Sequence, residues 1–262
     1  MGANPLKHPV YDLLPQRTQT KLLSPVSEDK LTWDCFFGLI RAGKLGTVLA
    51  GLLKIPDEIL QDARLVLWGF EIREDGASAW EPLREVLSAV ENYRDGKPEG
   101  QKTEPDVIVV SGRSLVVAEC KRRSALGRCS RFEDERCPEI HMDRRKRPYC
   151  QYWTRGLQEL VTFSKPVPAT SDPDCNQYYQ LLRNYMIGDR LATVLGLPLH
   201  LMVVKAANSP HFAETRTELR RFNSTMTRAP KYVVACWNDF RLGATPDVLS
   251  GYAAELPPLA QA

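Results

Sequence analysis

The spacing of apolar residues changes several times along the chain, and each change predicts an element. Behind Ser27, the positions Leu31, Trp33, Phe36, Phe37 and Ile40 predict a capped amphipathic helix over 28–42, stopping near Gly43, with more short helix to about residue 61. The apolar run from Leu65 to Ile72 reads as one strand, and 80–93 as a helix with Leu83, Val86, Leu87 and Val90 on one face. Two glycines and a proline make 95–103 a loop. Residues 107–110 and 115–118 are apolar at every position, the pattern of strands covered on both faces. A helix over 148–163 follows, ended by Pro166, Pro168 and Pro173; then a helix over 176–195, a strand at 199–204, a helix over 210–223 and a strand at 232–237. The alternation predicts an α/β protein in which helices flank a small central mixed sheet. Residues 1–24 read as an N-terminal extension and 25–262 as a single domain.

Charged residues interrupt the two most apolar strands at informative places. Pro105-Asp106 opens the first, and Glu119-Cys120-Lys121 closes the second. A hairpin turned near Gly112 sets Asp106 beside Ala118 if the loop has three residues, or beside Glu119 if it has two. Side chains alternate along a strand, so Glu119 and Lys121 share a face while Cys120 points the other way. Two carboxylates in a partly desolvated place repel, and one takes up a proton unless a cation neutralises the pair. Magnesium does so readily, because it prefers hard oxygen ligands and uses one or two carboxylates together with waters and substrate phosphate.

These residues resemble the PD-(D/E)XK nuclease superfamily, the restriction-endonuclease-like fold, over about 64–165. The segment Ser27 to Trp33 is also similar to the opening of a bacterial restriction-like subgroup. The resemblance implies a restriction-endonuclease-like core and a Mg2+ (or Mn2+)-dependent endonuclease that hydrolyses DNA phosphodiester bonds, in restriction, defence or repair. Asp106 and Glu119 would hold the metal with the main-chain carbonyl of Cys120, and Lys121 would orient or deprotonate the attacking water. Burial near the sheet would lower the Lys121 pKa toward base work. A helix before the sheet would supply a further acid, for which Glu28, Asp29, Glu71 and Glu81 are candidates. Many members carry Q-x-x-x-Y on the helix after the lysine strand; here Gln151 is followed by Arg155 and Gln158 by Thr162, a departure from that pattern. Two alternatives stand beside this reading: a non-cleaving nucleic-acid-binding or assembly module of the same fold, and a nuclease acting on RNA or on branched or single-stranded DNA. Cutting both strands would call for two sites and so for a homodimer.

The formal net charge of +3 says little about nucleic acid, but its distribution says more. Residues 121–147 hold ten Lys or Arg against five acids, +5 in all, which leaves −2 for the remainder. Arg122, Arg123, Arg144, Arg145, Lys146 and Arg147 are therefore candidate phosphate contacts beside the metal. A hydrophobic content of 43% is ample for a buried core. The N-terminal stretch has no basic-then-apolar signal pattern and no run reaches the length of a membrane span, so the expectation is a soluble cytoplasmic protein with no membrane partner.

The same basic insertion, about 122–150, contains Cys129, Cys137, His141 and Cys150, separated by seven, three and eight residues. Three thiolates and an imidazole make a tetrahedral zinc set that would cross-link a loop too charged to bury a core of its own. Ordinary reduced cysteines are the alternative. An iron–sulfur cluster, which some nucleases of the resembled family carry, needs thiolates, and Cys120 or Cys175 could then replace His141.

Overall fold

A computed structural model describes residues 5–25, 27–91, 104–137, 139–141, 150, 156–165, 172–228 and 230–243. Seven strands form one sheet in the order β3-β2-β1-β4-β5-β6-β7. They are β1 (Arg64–Leu67), β2 (Phe70–Ile72), β3 (Ala77–Ala79), β4 (Val107–Val110), β5 (Leu115–Lys121), β6 (Leu199–Lys205) and β7 (Tyr232–Cys236). Strands up to β5 pair antiparallel, whereas β5, β6 and β7 run parallel. The architecture is the expected α/β with a mixed sheet, but the sheet is larger than the small one the pattern implied. Part of the excess comes from the run 65–72, which is a hairpin rather than one strand. Trp68 and Gly69 both have positive φ, 49° and 84°, the combination that a two-residue type I′ turn needs.

Helices cover both faces, as the all-apolar strands require. One face packs against α1 (Val10–Leu13), α2 (Gln16–Leu23), α3 (Glu28–Arg41) and α4 (Leu45–Leu53). The start of α3 follows from its cap: the Ser27 hydroxyl accepts the Lys30 N–H at 2.9 Å. The segment read as an N-terminal extension is part of this core, with Val10 and Leu22 buried in the same hydrophobic cluster as α3 and α4. The other face packs against α5 (Glu81–Glu91) and three further helices introduced below.

After β5 come the short α6 (Ser130–Glu133) and α7 (Leu157–Leu160), then α8 (Asp174–Gln177) and the long α9 (Tyr179–Leu195). The helix expected over 148–163 is represented among the described residues by α7 alone. Its chain then leaves helical geometry, and Val161 bridges Met226. Helix α9 makes the crossover to β6, and α10 (Phe212–Thr225) the crossover to β7. Among the described residues, no single helix is long and apolar enough to cross a membrane; the pair α3 and α4 reaches that length only jointly, with a bend of 111°.

Candidate active site at the end of β4 and β5

The β4–β5 register decides which carboxylates meet. Val107 pairs with Ala118 and Val110 with Leu115, and the Ser111 N–H donates to the Ser114 carbonyl at 2.9 Å. The turn therefore contains only Gly112 and Arg113, and Asp106 falls opposite Glu119. Asp106 is anchored through Oδ2, which accepts the Cys120 N–H at 2.8 Å. Both carboxyls lie on the face that α9 covers.

Glu119 is 1% exposed, and its oxygens are held from several directions. Oε1 accepts from Gln180 and lies 2.8 Å from Lys121 Nζ; Oε2 accepts from Asn184 Nδ2 at 2.6 Å and lies 3.8 Å from Arg183. Burial pushes this acid up, but the Lys121 and Arg183 charges outweigh it, and the carboxyl sits below the ordinary glutamate range. Asp106 goes the other way. Burial, then the Glu119 charge, raises it well above the usual aspartate value. The two acids thus shift apart as a repelling pair does, Asp106 toward holding a proton and Glu119 toward holding the charge.

Lys121 departs from the expectation of a lowered pKa. Burial alone would depress it, but Glu119, Asp106 and Glu28 together reverse the sign, and the amine is held as an ammonium above the ordinary lysine value. Of the four candidate acids, Glu28, the first residue of α3, is the one that reaches Lys121. Its Oε1 is 3.3 Å from Lys121 Nζ, while Oε2 accepts the Arg122 N–H at 2.6 Å and the Ser124 hydroxyl at 3.0 Å. The other three candidates are engaged elsewhere: Asp29 with Lys21, Glu71 with Arg64 and Glu81 with Arg84.

Gln180, Arg183 and Asn184 were not singled out by the sequence, because the helix that returns from β5 to β6 is α9 and not the 148–163 segment that follows β5 more closely. Their spacing of three and four residues, which sets them on one helical face, was the available signal. Lys205 was missed as well. It lies directly beside Lys121 in the parallel register, is fully buried, and donates through Nζ to the Ser124 carbonyl; burial lowers its pKa. With the Trp237 indole N–H on the Lys121 carbonyl at 3.0 Å and the Ser209 hydroxyl on the Arg123 carbonyl at 3.3 Å, it pins the exit of β5.

Among the predicted phosphate contacts, Arg122 is half-buried and Arg123 exposed at this exit, next to Glu28 and Lys121. Arg144, Arg145, Lys146 and Arg147 lie outside the described residues, as do Gln151 and Arg155. Cys129, Cys137 and Cys150 line one cavity, but His141 does not line it. Its Nδ1 accepts the Cys137 N–H at 3.4 Å, and its ring lies 5.2 Å from that of Phe132.

The candidate active site meets the demands of magnesium in part. Two acids are adjacent, burial and the Glu119 charge raise the pKa of Asp106, and Glu28 stands across Lys121 from them. Against this, Glu119 is already bonded by two amides and an ammonium, so a cation would have to displace Lys121 or Gln180 from it. Among the described residues no group of three or more His, Cys, Asp or Glu is arranged to hold a metal ion. Comparison with protein-family models, with curated proteins and with solved structures returns no match to this chain.

Proposed function

We propose that the protein is a Mg2+-dependent nuclease that hydrolyses DNA phosphodiester bonds at the end of β4 and β5. The observation that supports this most is the convergence of buried Glu119 and Lys121 with half-buried Asp106 and Glu28, from three elements, where two central strands end. A pair of carboxyls of which one must carry a proton is destabilised until a cation shares it.

Asp106 and Glu119 would hold magnesium, which supplies Lewis-acid polarisation of a phosphoryl oxygen. Asp106 would give up its proton as the cation binds, while Glu119 is ionised beforehand. Lys121, released from Glu119 but still tethered by Glu28, donates a hydrogen bond to the attacking water and offsets the charge that builds on the phosphate. It serves as a donor rather than as the base, because the acids around it raise its pKa instead of lowering it. Arg122 and Arg123 extend the positive surface along the strand that carries the scissile phosphate. The same site would serve RNA or branched DNA.

A second reading, a nucleic-acid-binding module that does not cut, is favoured by how fully Glu119 is already bonded. One experiment separates the two. Purified protein is incubated with supercoiled plasmid and magnesium, beside Lys121→Ala and Asp106→Asn. Nicking by wild type alone supports the nuclease. Equal retention of DNA by all three proteins with no cutting by any rejects it in favour of the binding module. Labelled RNA and a branched duplex in parallel identify the preferred substrate.

A further inference from the structure

Strand β6 is apolar from Leu201 to Val204 and ends on Lys205, whose side chain is fully buried. Burying an ammonium is costly, and an apolar side chain continuing the strand would avoid that cost. Among the described residues the Lys205 amine pairs with no carboxylate; its partner is the Ser124 carbonyl. That carbonyl ends a segment held residue by residue from distant parts of the chain. The Lys121 carbonyl accepts from the Trp237 indole at 3.0 Å, the Arg122 N–H donates to Glu28 at 2.6 Å, and the Arg123 carbonyl accepts from the Ser209 hydroxyl at 3.3 Å.

We propose that Lys205 is a positioning residue of the candidate active site: by holding the Ser124 carbonyl it sets the Ser124 hydroxyl on Glu28 Oε2, and so aims Glu28 Oε1 at the Lys121 ammonium. The relay is complete in hydrogen bonds. The Ser124 hydroxyl donates to Glu28 Oε2 at 3.0 Å, and Oε1 of the same carboxylate lies 3.3 Å from Lys121 Nζ. A glutamate side chain turns freely about its bonds until donors fix it, and here Arg122 and Ser124 fix one oxygen so that the other can serve Lys121.

The charge on Lys205 has a use that a neutral donor would lack. A charged donor makes the stronger bond to a main-chain carbonyl. Lys205 and Lys121 are also register partners on β6 and β5, and Glu28 is an acid in the field of both. Two like charges on adjacent strands hold the acid that balances them at the strand ends. The catalytic consequence of this relay rests on the nuclease reading, whereas the placement of the Lys121 ammonium does not.

The test uses the full chain with isotope-labelled lysine and follows the Lys121 ammonium by NMR, its signal identified by loss in Lys121→Met. Wild type is compared with Lys205→Met, Ser124→Ala and the double variant. In wild type the ammonium protons exchange slowly with water; in each single variant exchange should quicken by about tenfold or more, as loss of a buried hydrogen bond implies, and the double variant should be no faster than Lys205→Met. Unchanged exchange in folded Lys205→Met overturns the proposal. So does an effect of Lys205→Met that is equally large on top of Ser124→Ala, because removal of a nearby like charge then acts without the relay. If Lys205→Met does not fold, the exposed Ser124 carries the test: unchanged Lys121 exchange in Ser124→Ala overturns the proposal. Plasmid nicking adds a second readout, in which both single variants should lose kcat by about tenfold with KM within about twofold of wild type. Nicking with unchanged kcat in both variants overturns the positioning role. No nicking by wild type rejects the nuclease reading alone, and the ammonium signal then decides the relay.

Discussion

Glu28 and Lys121 lie 93 positions apart in the chain and meet at 3.3 Å, so that the first residue of α3 closes the end of β5. The second carboxyl oxygen also accepts a main-chain N–H from Arg122. Glu28→Ala leaves that N–H without its acceptor and should cost about 1–3 kcal/mol, whereas Glu28→Gln keeps an acceptor and loses only the charge. Thermal unfolding should rank wild type, then Gln, then Ala. Nicking should fall at least tenfold in both variants, because Lys121 loses its tether. Full activity in Glu28→Gln would exclude Glu28 from the site.

Asp106 is an acid whose folded-state pKa is raised, so the fold is favoured with its proton on. That advantage is complete below the ordinary aspartate value and is withdrawn as pH rises through the raised one. Asp106→Asn makes the neutral form permanent and keeps an acceptor for the Cys120 N–H. At neutral pH without metal it should stabilise the protein by about 1 kcal/mol or more, a rise of about 2–4 °C per kcal/mol in Tm, while abolishing cleavage. Magnesium should raise the wild-type Tm and leave Asp106→Asn unmoved; an equal shift in both places the cation elsewhere.

For Glu119 the pH dependence has the opposite sense. Glu119 has a lowered folded-state pKa, so its stabilisation is present above the ordinary glutamate value and is lost as pH falls through the lowered one. Lys121→Met removes the ammonium at 2.8 Å and should cost about 3 kcal/mol at neutral pH. Urea unfolding at a series of pH values should show the gap to wild type narrowing as Glu119 protonates. A gap constant down to strongly acid pH would mean that the ion pair contributes nothing.

Asn184 donates to Glu119 from the buried face of α9 at 2.6 Å. Asn184→Leu keeps the volume and removes the donor, leaving an ionised oxygen short of a partner at a cost of about 1–3 kcal/mol. Paired with Glu119→Gln in a double-mutant cycle, the two changes should couple by more than about 0.5 kcal/mol. Additive changes would show that the bond is not made.

Away from the site, Gly46 on α4 faces the Leu60 carbonyl so closely that a β-carbon there would lie 2.0 Å from its oxygen. The atom it meets is backbone and cannot rotate aside, so Gly46→Ala must separate α4 from the Asp57–Ile59 turn. The expected loss is more than about 2 kcal/mol, read as a lower Tm; an unchanged Tm would show that the two segments part freely.

Much of this protein was legible in residue order. Local features carry their own instructions: the Ser27 cap starts α3, the apolar runs of β4 and β5 place them mid-sheet, and alternation puts Glu119 and Lys121 on one face. Other features depend on which distant segments come together, and only the tertiary structure decided them. Two positive-φ residues split an apolar run into β1 and β2, a backbone choice that Trp68 does not announce. Glu28 was one of four equivalent acids until α3 docked against the end of β5. The sequence called for a lowered Lys121 pKa because burial alone lowers it, yet the field of three acids, one of them 93 residues away, raises it. Gln180 and Asn184 owe their positions to a crossover that returns α9 to the sheet; periodicity records which way a residue faces along its own element, and only packing determines what it faces.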